Sequence, residues 1–174
     1  MRTFAEERKE GTYVLLGTRP VTDTQIILAK YLACSLLVLF ALIPTLIYYY
    51  SLYVLGQPEG NIDTGAVAGS YLGLLLLGAT FTAVGIFASS LTKNQVIAFV
   101  ISVFLCFFLF SGFEALAKLF EFEKGGDILL NLGIAEHYQS ISRGIIDTRD
   151  LVYFASFIIV FLLLTKYVIG RRAW

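Results

Sequence analysis

Residues 31–55 read YLACSLLVLFALIPTLIYYYSLYVL. The run carries no charge, and as a helix rising 1.5 Å per residue it extends about 37 Å, enough to cross a hydrocarbon layer of about 30 Å with some tilt. Pro44 lies inside it and predicts a kink, because proline removes a backbone donor and leaves a carbonyl to be satisfied by a neighbour. Such a kink serves either as fixed packing or as a pivot. Tyr48, Tyr49, Tyr50 and Tyr53 crowd the far end, where amphipathic rings favour the headgroup boundary.

Outward from this span, the breaker-rich loop 56–63 leads into a second uncharged run, 64–92. Gly65, Gly69 and Gly73 recur at intervals of four, so three positions without side chains share one stripe and let another helix approach closely. The polar stretch 89–95 reads as a tight turn before a third span at 96–111, near the lower limit for crossing. Residues 113–150 mix apolar and charged positions at helical spacing around Gly125-Gly126, which predicts two amphipathic interfacial or re-entrant helices. A last span covers 151–169. The fold class is therefore all-α and integral to a membrane, with four transmembrane helices. Its segments are 1–25 (polar, N-terminal), 26–112 (three spans), 113–150 (amphipathic helices) and 151–174 (last span and tail).

Composition agrees: 57% of the 174 residues are hydrophobic and 15% charged, against roughly a quarter charged in soluble domains. Membrane lipid is the implied solvent for these side chains. A formal net charge of zero leaves no basic footprint for nucleic acid. Cys34 and Cys106 lie in apolar runs and read as free, buried thiols. The N-terminus lacks the short apolar core of a secretory signal.

Several chemistries are disfavoured. No span holds a charged residue near its centre, which ion-coupled transporters use for the coupling ion. His137 is the single histidine, has no further ligands at metal-binding spacing, and reads as interfacial. No phosphate-binding glycine loop is present, and Glu6, Glu7 and Glu10 read as a solvated or protein-binding face rather than a catalytic set. The expectation is a non-catalytic chain with no metal and no cofactor of its own.

The segment 1–31, MRTFAEERKEGTYVLLGTRPVTDTQIILAKY, is a long polar stretch placed directly before a span. It predicts a short amphipathic helix, a stop at Gly17-Thr18-Arg19-Pro20, and a new start capped by Thr22 or Asp23. On physics alone, that helix either docks in a groove of a soluble partner, whose motion would tilt the span, or rests on headgroups. With four spans both ends share a side. Arg2, Arg8, Lys9, Arg19, Lys30, Lys93, Lys166, Arg171 and Arg172 fall there, against Lys118, Lys124, Arg143 and Arg149 opposite, so both termini are expected to be cytoplasmic.

The pattern Glu10-Gly11-Thr12, Leu15-Leu16, Arg19-Pro20-Val21 and Lys30 resembles the segment before the third span in type-2 ATP-binding-cassette (ABC) exporter permeases. The stretches 85–95 (GIFASSLTKNQ) and 142–150 (SRGIIDTRD) are most similar to the gliding-motility-associated branch. The resemblance implies a six-span permease subunit of the bacterial cytoplasmic (inner) membrane, of which this chain corresponds to spans three to six, the first two having no counterpart. It further implies a second permease, as homodimer or related chain, and a separate ABC ATPase subunit that binds the ATP. That subunit would grip a coupling helix carrying Phe4, Glu7, Arg8, Glu10, Gly11, Thr12, Leu15, Leu16, Arg19 and Pro20. Residues 113–150 would resemble an external gate. A membrane scaffold or force-transmitting role is the alternative.

Overall fold

The computed structural model describes residues 2–9, 22–56, 62–119 and 132–171, and every regular element among them is helical. Four helical runs are long and apolar enough to cross a membrane: Asp23–Leu55, Thr64–Leu91, Gln95–Lys118 and Thr148–Arg171. An N-terminal helix, Arg2–Lys9, and a short helix, Ile134–Ser142, complete the fold.

Each span starts where a polar side chain closes free amides. At Thr22 the backbone N–H donates to Gln25 Oε1 at 3.1 Å. Asp63 Oδ1 accepts from the amides of Gly65 and Ala66 at 2.9 and 3.1 Å. Asn94 Oδ1 accepts from Val96 at 2.9 Å, and Asp147 Oδ1 from Arg149 at 3.0 Å. The turn between the second and third spans is thus only Thr92, Lys93 and Asn94, with Ser89 and Ser90 still helical.

The first span breaks into a 3-10 turn at Ile43–Thr45, where Pro44 cannot donate. The Thr45 hydroxyl lies 2.6 Å from the Leu42 carbonyl oxygen and 3.1 Å from the Tyr71 hydroxyl, tying the break to the second span. Beyond it, Leu46–Leu55 has no buried residue. The third span runs to Lys118, past the Ser111 end read from its uncharged run. The reason is a π-helical segment, Phe108–Gly112, that re-registers the helix without ending it. After it Ala117 is buried, while Glu114 and Lys118 pair with each other at 2.9 Å on the exposed side. An i,i+4 pair at a helix end is tolerated where isolated charges would stop the span.

The second span is the axis of the bundle. Of its most apolar window 44% is buried, against 6% for the first span and 17% for the third and fourth. It packs on all three other spans, the N-terminal helix and the Ile134–Ser142 helix. One core cluster lies at the end bearing the N-terminal helix, here the proximal end: Phe4, Ile27, Ile86 and Ile169. The second lies toward the opposite, distal end: Val84, Leu109, Ile134, Ile141 and Phe154. Leu37, Phe40, Ile47, Phe104, Val152 and Leu163 are each more than half exposed, as suits hydrocarbon-facing positions in a membrane protein. Cys34 and Cys106 are free.

Candidate functional site

Of the residues that the resemblance assigns to partner docking, Phe4, Glu7 and Arg8 fall on the N-terminal helix. Glu10, Gly11, Thr12, Leu15, Leu16, Arg19 and Pro20 lie outside the described residues. The helix is fastened to the proximal end by three contacts of different kinds. Phe4 is fully buried against Ile27, Ile86 and Ile169. Ser89 Oγ of the second span accepts from the amides of Phe4 and Ala5, each at 3.1 Å. The Phe4 amide lies in the first helical turn, where amides lack an acceptor within the helix, so a side chain from another helix helps to cap this one.

The third contact is ionic. Lys30 Nζ of the first span lies 2.5 Å from Glu7 Oε1 and 4.5 Å from the centre of the Phe4 ring. Lys30 is 16% and Glu7 31% exposed, so the pair is partly screened and adds about 1 kcal/mol or less. Burial of the Phe4 ring outweighs it at about 3 kcal/mol. Phe4 and Glu7 are thus turned toward the spans, and together they bind one rigid helix to the starts and ends of three of them.

At the distal end the glycine stripe meets the Ile134–Ser142 helix, termed the distal helix below. A Cβ on Gly69 would lie 2.6 Å from the Ile141 carbonyl oxygen and 2.7 Å from Gly144 Cα, while one on Gly73 would touch the Tyr138 ring at 3.3 Å. Gly65 sits in the first turn of the second span, where, among the described residues, its Cβ would approach only its own cap, Asp63. The turn after the distal helix needs Gly144, whose φ is +83° and whose Cβ position lies 3.1 Å from Ala66 Cα.

The chain as a whole matches the profile of the family described as ABC-2 family transporter protein over residues 1–169. It belongs to that family. The permease part of an ABC transporter is thereby its class, and the four apolar helices make this ABC-2 transporter chain a multi-pass membrane protein. No curated protein matches it.

One polar group of this ABC-2 chain is absent from a reading of its sequence. His137, on the distal helix, places Nδ1 2.7 Å from Asp150 Oδ1 at the start of the fourth span, and the Tyr153 ring stacks on the imidazole with centroids 3.9 Å apart. Tyr153 in turn donates from its hydroxyl to the Leu132 carbonyl at 2.6 Å. Asp150 is 5% exposed. The signal available in the sequence was a lone histidine and, after a glycine turn, an acid in the first turn of an otherwise apolar span. Among the described residues no three His, Cys, Asp or Glu side chains converge as metal ligands would, so the group is a pair with an aromatic lid.

Proposed function

We propose that the Arg2–Lys9 helix is the coupling helix of this permease and that a separate ABC ATPase, which binds and hydrolyses the ATP, docks on it. The supporting observation is its three-way fastening through Phe4, Ser89 and the Glu7–Lys30 pair. A helix merely resting on headgroups does not need its ring and first amides buried in the bundle, whereas a lever must be joined stiffly to what it moves. In this reading Phe4 and Glu7 form the joint, and docking falls to the remainder of the helix and the segment that follows, with Arg8, Glu10, Gly11, Thr12, Leu15, Leu16, Arg19 and Pro20. The joint hands motion first to the second span, which touches each of the other spans, the N-terminal helix and the distal helix.

The chain itself catalyses nothing in this reading. The basic residues at the proximal end support its placement on the cytoplasmic side of a bacterial inner membrane. The similarity of 85–95 and 142–150 to the gliding-motility-associated branch supports an exporter of that type, working with a second permease. Docking is tested by charge reversal. Glu10→Lys replaces a negative charge by a positive one in a charged run, and co-purification with the ATPase subunit, identified by mass spectrometry through its phosphate-loop peptides, is expected to fall about tenfold, the size of one lost charged contact of about 1.4 kcal/mol. Undiminished association would count against this docking face.

A further inference from the structure

The distal helix is held along two seams of opposite chemistry. Its seam with the second span is a contact of backbones: the Gly69 and Gly144 approaches leave no room for a single added carbon, and the Ser70 hydroxyl donates to the Ser142 carbonyl at 3.0 Å. Such a seam allows rotation about the contact but no separation without losing everything at once. Its seam with the fourth span is different, because there the closest contacts are polar: His137 to Asp150, the Tyr153 ring on His137, and the Tyr153 hydroxyl to Leu132.

That polar seam is incompletely satisfied. The Asp150 side chain is 7% exposed, and its Oδ2 is buried with no hydrogen-bond partner among the described residues. A half-satisfied buried carboxylate is a poor strut, since two apolar side chains of similar volume would hold more firmly. It suits a contact that must release. When the seam opens, water reaches Oδ2, and the hydration regained offsets the lost bond to His137. Ile134 and Phe154, which belong to one buried cluster, would part into lipid chains as apolar as themselves, at little cost in a bilayer. Opening therefore costs least at this seam and most at the glycine seam.

We propose that the distal helix is a flap, hinged on the second span at Gly69 and Gly144 and latched to the fourth span by His137, Asp150 and Tyr153. The latch sets how far the distal ends of the second and fourth spans stand apart. This is a property of the chain by itself, and its test does not depend on the ATPase reading.

The test uses the full chain in phospholipid nanodiscs with Cys34→Ala and Cys106→Ala, and spin labels at two pairs of sites. Gln139 with Val152 spans the latch, and Gln139 with Ala68 spans the hinge. Asp150→Ala is expected to lengthen the latch distance by about 5 Å, the scale of a one-turn helix shift, and to leave the hinge distance unchanged. The paired change His137→Leu with Asp150→Leu is expected to remove any long component seen in the parent and leave one short distance. Should Asp150→Ala fail to fold, Tyr153→Phe, which keeps the ring stack and loses the bond to Leu132, is expected to enrich the long component. Equal movement at both pairs, no movement at either, or a paired leucine variant that shows a long component would overturn the proposal.

Discussion

Gly69→Val is expected to destabilise this chain by about 3 kcal/mol, the upper end for overpacking, and to unseat the distal helix. The cause is steric and involves backbone on both sides, with the added Cβ 2.6 Å from the Ile141 carbonyl oxygen and 2.7 Å from Gly144 Cα. Neither neighbour can yield as the tip of a flexible side chain would. Gly144 is itself committed to φ +83° and to contact with Ala66. Replacing glycine in a helix normally gains up to about 1 kcal/mol, which is too little to offset the clash. Gly170 provides the control: among the described residues nothing lies within 4 Å of its Cβ position, so Gly170→Ala should be neutral or gain up to about 1 kcal/mol from helix propensity. Denaturant unfolding in detergent, followed by far-ultraviolet circular dichroism, distinguishes the two. Equal midpoints for Gly69→Val and the parent would show that the glycine seam is not close-packed.

The second large effect is expected at the opposite end. Phe4→Ala removes the ring that anchors the N-terminal helix, and truncating a fully buried phenylalanine costs about 3–5 kcal/mol. What remains is the Ser89 cap, about 1 kcal/mol, and the partly exposed Glu7–Lys30 pair, about 1 kcal/mol or less. An eight-residue helix is not stable alone, so loss of the anchor should release and melt it together. Hydrogen exchange at the amides of residues 5–9 is then expected to accelerate more than about 100-fold, while the spans keep their protection. Retained protection in residues 5–9 would mean that something other than Phe4 holds the helix.

The four spans were legible because each holds an apolar stretch free of charge, and the start of the first because Thr22 is a residue that caps. The end of the third span was not. Glu114 and Lys118 look like the beginning of a surface helix, and only the π-helical re-registration at Phe108–Gly112 shows how the same helix carries a charge pair outward while burying Ala117. The glycine stripe announced a close approach without naming the partner, since spacing fixes a face and not what covers it. The direction of Phe4 was hidden for the same reason, an eight-residue helix offering no long periodicity against which to set its faces. His137 and Asp150 sit thirteen positions apart, and the turn that joins them depends on a positive φ at Gly144, which a linear reading of hydropathy does not register.

The proposed coupling role requires the N-terminal helix to be the place where a nucleotide-hydrolysing subunit takes hold. A photoactivatable benzophenone attached at Glu6→Cys, in the Cys34→Ala, Cys106→Ala background and in native membranes, tests this most directly. Cross-linking to an ATPase subunit bearing a phosphate-loop sequence is expected, with a yield that changes between ATP-loaded and nucleotide-free membranes. Cross-linking confined to lipid or to this chain itself, and unchanged by ATP, would contradict it.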